Sequence, residues 1–260
     1  MVSDKVWSAF NTIHGVVYAH ANHGDSYTRI GLDDPWTNYF ASRSAALGEP
    51  SAELVAATFF GYSPAMIGQH IPRAWTITSA ESVLAVRREI AARALAHLDE
   101  RAAVIADSLI DLISGLTLGG ASLAAAHISL DVPDSPSLKL WHAATVLREY
   151  RGDRHWAVLT AAGLNGPSAQ ALAVATGRQK RGQQRRTGWT DAEWDQAFAD
   201  LRTRGWADDE RQATETGIAA RNQLEEATTR VTLAGFDTEA RARLEAADKQ
   251  IQNLAAQVTA

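Results

Sequence analysis

The sequence predicts a mainly α-helical protein, with a multi-helix domain over residues 1–164 and a smaller unit with long C-terminal helices over residues 165–260. Three observations predict it. Apolar residues recur at helical spacing along most of the chain. Helix-starting Ser, Thr or Asp and helix-ending Gly punctuate those stretches at short intervals. Asn165-Gly166-Pro167 is a strong turn signal, and at 260 residues the chain has room for one large domain or two modest ones.

Ser3 is placed to cap a first helix running to about Ala21, with Trp7, Phe10, His14, Val17 and Tyr18 on one apolar side. His14 there is either a hydrogen-bonded core histidine or an acid/base group. His14, His20 and His23 with Asp25 are metal-ligand types, but they lack the i,i+4 pair of a helical zinc site, so no metal is expected. Asp34, Pro35 and Gly48 punctuate a second helix carrying Trp36, Tyr39, Phe40 and Arg43. An arginine beside an aromatic stripe either clamps an anion or only snorkels from the core edge. A short helix from Ser51 and another from Ser63-Pro64, stopped before Pro72, follow. Between Ser79 and Gly119 the pattern supports two long helices, or one interrupted near His97 to Asp99, with Arg87, Arg88 and Arg93 facing solvent. Asp107 and Asp111 share a helix face, where they pair with distant arginines or hold a cation.

Ser135 and Pro136 begin a helix bearing the densest polar run in the chain, from Trp141 and His142 through Arg148-Glu149-Tyr150-Arg151-Gly152-Asp153-Arg154-His155-Trp156. Gly152 is expected to end that helix, and Asp153 to cap the next one, which stops at Gly163. The run is either a salt-bridged helix corner or the wall of a polar pocket. In the second case Arg148 or Arg151 binds an anion while His155 or Glu149 moves a proton. The residues expected to carry function are thus His14, Glu149 and His155 for proton transfer, and Tyr18, Tyr39, Arg43, Trp141, Arg148 and Arg151 for substrate.

In the C-terminal part, Thr190 and Glu193 form a capping box that starts a helix at Asp191. Trp194, Ala197, Phe198 and Leu201 make its buried stripe, Gly205 ends it, and Trp206 to Thr214 suffices for a small hairpin before a long helix. This order, with L-x-x-R-G-W before the hairpin and T-x-x-G after it, resembles the multiple-antibiotic-resistance-regulator type of winged helix. That resemblance implies a winged-helix-like domain with a small β-wing. In such a domain the helix before the wing reads DNA, yet here it carries Asp191, Glu193, Asp195 and Asp200, and the wing carries Asp208, Asp209 and Glu210. Carboxylates there repel phosphates, so a scaffold role is expected in place of DNA reading. Arg178, Lys180, Arg181, Arg185 and Arg186 form a basic connector, read as a solvated linker or a phosphate-contacting arm. A last helix, with Leu244, Ala247, Ile251, Leu254 and Val258 as a narrow stripe, suits packing on the body or on a second copy.

Composition narrows the chemistry. Hydrophobic residues make up 46% and charged residues 21%, with a net charge of -5, so nothing draws the whole chain to nucleic acid or anionic membrane. Zero cysteines exclude disulfides, thiolate catalysis and cysteine-ligated metals. No glycine-rich phosphate loop or dinucleotide fingerprint is present, and no cofactor is expected. The start lacks a signal-peptide pattern and the most apolar segment, Ala102 to Ala126, contains Asp107 and Asp111, so a cytoplasmic protein with no membrane partner is expected.

Four ordered segments, YFASRSAALG (Tyr39 to Gly48), IPRAW (Ile71 to Trp75), LREYRGDRHWAVLTAAGL (Leu147 to Leu164) and GWTDAEW (Gly188 to Trp194), resemble an actinobacterial family labelled by its C-terminal helix-turn-helix. The resemblance implies an all-helical body with a winged-helix tail and carries over no catalytic residue. Two classes of function remain. One is a small-molecule-binding or -processing protein, an acid/base enzyme of specialised metabolism acting on an anionic substrate. The other is a ligand-responsive regulator whose pocket biases a DNA-binding dimer.

Overall fold

The architecture is that of a computed structural model, which describes residues 3–19 and 23–258. The body is built from α1 (Asp4–His14), α2 (Val16–Ala19), α3 (His23–Thr28), α4 (Pro35–Ser44), α5 (Ala52–Thr58), α6 (Pro64–Ile77), α7 (Ala80–Leu95), α8 (Asp99–Ala102), α9 (Ala106–Ser114) and α10 (Ser122–Ile128). These are followed by α11 (Pro136–Ala161), then α12 (Gly166–Ala175), α13 (Gln183–Thr187), α14 (Asp191–Thr203), α15 (Glu215–Ala234) and α16 (Thr238–Val258). Most of the longer helices start where a short polar side chain meets an orphan N–H three residues on. Asp34, Ser51, Ser79, Ser135, Asn165, Thr190 and Thr214 all do so, each contributing about 1 kcal/mol. The Thr190–Glu193 capping box is present in both directions, and Gly205 takes the left-handed conformation at φ 70°.

The organising element is α11, whose 26 residues span about 39 Å at 1.5 Å per residue. It packs against α1, α9, α10 and α15. Its N-terminal half, through Leu140, Ala143, Ala144, Leu147 and Tyr150, lies in the body's core, while Leu159 near its C-terminus packs with Leu172, Trp194, Phe198, Leu201 and Leu224 of the C-terminal unit. The expected break at Gly152 does not occur. A glycine inside a helix costs about 1 kcal/mol against alanine, and α11 is packed on both sides of Gly152, which holds it straight through. Asp153 does not cap its own helix either. Its Oδ2 accepts from the N–H groups of Leu123 and Ala124, both at 3.1 Å, and so caps α10 across space. Burial raises this carboxyl to about 6.

Other local expectations yield to packing in the same way. The helix expected to stop before Pro72 runs on to Ile77, with Ile67, Ile71 and Ala74 buried on both sides of the proline. The first helix is interrupted at Gly15 rather than reaching Ala21, and the expected positions His20 and Ala21 lie outside the described residues. Ser3 does not cap α1; its hydroxyl and N–H both go to Asp248 of α16, at 3.0 and 2.9 Å. That contact belongs to a larger one: Leu244, Ile251 and Leu254 of α16 enter the same buried cluster as Val6, Phe10 and Ile13 of α1. The narrow apolar stripe of the last helix is therefore spent on the body. Asp107 and Asp111 pair with Lys139 at 2.7 Å and Arg243 at 3.4 Å.

The expected β-wing is reduced to one isolated antiparallel bridge, Ala207 to Ala213, and there is no strand among the described residues. Seven residues between Trp206 and Thr214 leave room for little more, and Arg211 at the tip takes the left-handed region at φ 62°. The hairpin is held by Thr214, whose N–H donates to the Trp206 carbonyl at 3.2 Å and whose hydroxyl accepts from the Gly217 N–H at 3.0 Å. A Cβ at Gly217 would overlap the main chain of Trp206. Gly217→Ala is therefore expected to push the hairpin off α15 at a cost of about 3 kcal/mol, the upper end for overpacking. Thermal unfolding with amide exchange at Asp208 and Thr214 reads this, and unchanged protection of both amides would refute it.

Candidate functional site

Helices α4 and α11 each send charged side chains into the body, where water does not reach. Glu149 is 2% exposed and Arg43 5% exposed. Arg43 Nη2 lies 3.1 and 3.4 Å from the two Glu149 oxygens, and Arg148 Nη1 meets the same carboxylate from the adjacent position at 2.5 Å. Burial alone would raise the Glu149 carboxyl. Arg148 and Arg43 outweigh it and hold the group far below its ordinary 4.5, so it is a fixed anion. Arg43 also stacks 4.2 Å from the Phe59 ring centroid and donates to the Tyr39 hydroxyl at 3.2 Å.

His14 lies at the other side of Glu149, its Nε2 3.8 Å from Oε1 and its Nδ1 3.1 Å from the Thr145 hydroxyl. Burial drives its pKa well below 6.5, and Arg148, Arg87 and Arg43 add to that against the pull of Glu149. The imidazole is therefore neutral and the pair is not an ion pair. Trp141 is buried beside it, donating to the His14 carbonyl at 3.4 Å. Tyr18 packs between His14 and Tyr39, with both ring separations at 5.4 Å.

Arg148 also reaches the edge of a cleft of about 990 Å³ between the body and the C-terminal unit. Five arginines line it: Arg148 and Arg151 from α11, Arg178 from the connector, Arg221 and Arg230 from α15. Among the described residues, only Glu225 and Glu226 oppose them there. Glu225 is shared, with one oxygen 2.7 Å from Arg151 and the other 2.6 Å from Arg221. Against burial, Arg221 and Arg151 keep its carboxyl below the usual range. Trp7 and Trp156 give the cleft apolar walls. His155 also lines it, with Nδ1 2.8 Å from the Thr228 hydroxyl; burial, aided by Arg221, Arg151 and Arg178, lowers its pKa to about 4.

The nine residues singled out from the sequence thus fall into one connected region. His14, Arg43, Trp141 and Glu149 are interior, Arg148, Arg151 and His155 reach the cleft, and Tyr18 and Tyr39 line a second, smaller cavity. The sequence reading missed Arg221 and Glu225, which come from a helix some seventy residues downstream. It also misplaced Arg87: expected at the surface, Arg87 is 1% exposed. A signal was present, since Arg87 shares a helix face with Val83 and with Ile90 and Ala91, all buried. No group of three or more ligand-type side chains that could hold a metal is found among the described residues. Among the described residues no helix is long and apolar enough to cross a membrane.

The body joins the C-terminal unit through Phe60, stacked on Trp156 at 5.4 Å, and through Trp189 Nε1, which donates to the Gly61 carbonyl at 3.0 Å. In that unit α14 packs against α12, and α13 packs on the same helix. The exposed side of α14 presents Asp191, Glu193 and Asp195; Asp195 pairs with Arg211 at 2.6 Å. No curated protein and no solved structure matches the chain. A helix-turn-helix family matches it over residues 3–260, and the chain belongs to that family.

Proposed function

We propose that this protein binds an anionic small molecule in the cleft between its helical body and its helix-turn-helix unit. One observation carries the reading: arginines from three separate elements converge on one cavity with two glutamates to oppose them. Guanidinium groups match carboxylate, sulfate and phosphate oxygens in paired geometry. Glu225 holds Arg151 and Arg221 in place until an incoming anion takes over their free N–H groups. Neutral His155 offers a further hydrogen bond, and the two tryptophans shield the apolar part of the ligand. Glu149 acts here as a counter-ion that fixes Arg148 at the cleft edge, because a carboxylate so strongly stabilised in its charged form is a poor base. A ligand gripped from both sides would tie α11 to α15 and so fix how the helix-turn-helix unit sits on the body.

A second reading, a regulator that binds DNA, is favoured by the family membership and by the connector Arg178 to Arg186, which carries five basic residues and no acidic one. The acidic exposed side of α14 weighs against it. Two measurements decide. Native mass spectrometry of the full chain purified from its own host is expected to reveal a retained anionic compound, with retention reduced about tenfold or more in Arg151→Ala and Arg221→Ala, as for loss of a charged hydrogen bond. Absence of any bound mass, or unchanged retention in both variants, would overturn the cleft reading. Fluorescence polarisation with random duplex DNA at low salt is expected to show no tight binding, and strong salt-sensitive binding would move the assignment to the regulator.

A further inference from the structure

Independently of the arginine cleft, a cavity of about 290 Å³ opens between α2 and α4. Four hydroxyl residues line it; Tyr27 donates its proton to Ser42, which leaves the hydroxyls of Tyr18, Tyr39 and Ser42. Each is already used as an acceptor by a buried arginine. Arg87 Nη1 donates to the Tyr18 hydroxyl at 2.9 Å and to Ser42 Oγ at 2.8 Å, and Arg43 Nη1 donates to Tyr39 at 3.2 Å. Tyr27 gives Ser42 a second donor at 2.7 Å, and Tyr62 gives Tyr39 one at 3.0 Å. An oxygen that accepts from a guanidinium turns its own proton away from it. None of these three protons has an acceptor among the described residues, so the cavity wall carries three unspent donors.

The charge behind that wall is also unanswered. Arg43 has Glu149, but no carboxylate pairs with Arg87 among the described residues, and its Nε and Nη2 are buried without a partner. Arg87 does have the Ser42 carbonyl at 2.8 Å and the faces of Tyr18 and Trp141 at 5.5 and 5.6 Å, which soften its burial without neutralising it. The remaining walls are aromatic, chiefly Trp36 and Tyr39, and Arg186 of the basic connector stands at the cavity. We propose that this pocket binds a planar aromatic carboxylate, its oxygens accepting from Tyr18, Tyr39 and Ser42, its charge balancing Arg87 and its ring lying against Trp36. The volume, at the small end for ligand pockets, suits a compound of one ring or two fused rings.

Isothermal titration of the full chain with benzoate and with its neutral counterpart benzamide tests this. Benzoate is expected to bind, and benzamide about tenfold more weakly or worse, the difference between charged and neutral acceptors. Tyr18→Phe, which removes a donor and keeps the ring, and Ser42→Ala are each expected to weaken benzoate about tenfold. Arg178→Ala in the arginine cleft, a residue that does not line this cavity, should leave its affinity unchanged. The assignment is overturned if benzoate gives no heat at millimolar concentration, if both compounds bind equally, or if Tyr18→Phe is silent. It is overturned as well if Arg178→Ala abolishes binding, which would place the anion in the cleft.

Discussion

Replacing Glu149 with glutamine is expected to destabilise the protein by about 3–5 kcal/mol, the loss seen when one partner of a buried ion pair is removed and the other charge stays behind. The charge left behind is Arg43, which is 5% exposed and whose remaining contacts are the Tyr39 hydroxyl and the Phe59 ring. Arg148, by contrast, is 27% exposed and reaches the cleft, so it can recover its hydration. For a chain of this size such a loss lowers the unfolding midpoint by on the order of 10 °C. Urea unfolding of Glu149→Gln, Arg43→Met and the combination Glu149→Leu with Arg43→Met separates the charge from its surroundings. The double variant is expected to regain most of the stability, because it leaves no unpaired charge inside. A loss below about 1 kcal/mol in Glu149→Gln, the level of an exposed pair, would mean that water reaches the pair in solution.

How much of this arrangement could be read from the residues depends on which forces set it. Capping and left-handed glycines are local, so Thr190, Glu193, Asp34 and Gly205 act as their spacing predicts. Arg43 and Glu149 stand out by residue type beside aromatic and basic neighbours, and the fold brings them together across 106 positions. What local reasoning misses is what distant parts supply. Asp153 caps a helix thirty residues earlier, and Pro72 and Gly152 sit inside helices held by packing on either side. Arg87 shows the limit most plainly: charge argues for the surface, while its register with Val83 and Ile90 argues for the core. The register wins because Tyr18 and Ser42 from two other helices supply acceptors that no local window contains. The cleft was legible on the α11 side and at Arg178 of the connector, but not on α15, since Arg221 and Glu225 carry no signal of their own until α15 is packed against α11.

Acidification should destabilise this protein before its ordinary carboxylates take up protons. Asp153 works the other way, because burial raises its carboxyl to about 6 and the folded chain takes up that proton first, offsetting part of the loss. Burial lowers His127 from 6.5 to about 3 and His142 to about 4; Arg87 acts with burial on the first, Arg88 on the second. Both are 4–5% exposed and each has an Nε2 without a partner. His14 is shifted in the same direction. The sign follows from which state binds protons. Below 6.5 the unfolded chain takes up protons on these imidazoles, whereas the folded chain refuses them until far lower pH, so stability falls as pH falls through that window. At pH 5 each of the two costs about 2 kcal/mol, or about 4 kcal/mol together at 1.36 kcal/mol per pH unit. That is a large part of an ordinary folding free energy of about 5–15 kcal/mol. Glu149 adds to the trend only below its ordinary 4.5, because a depressed carboxyl gives up its stabilisation as pH drops from there toward the folded value. Urea midpoints measured from pH 7.5 down to 5 are expected to decline steadily, and His127→Leu is expected to remove about half of the slope due to these two residues. A midpoint that stays flat across that range would show that the imidazoles are already hydrated or charged in the folded chain, and the neutral interior around Glu149 would have to be abandoned with them.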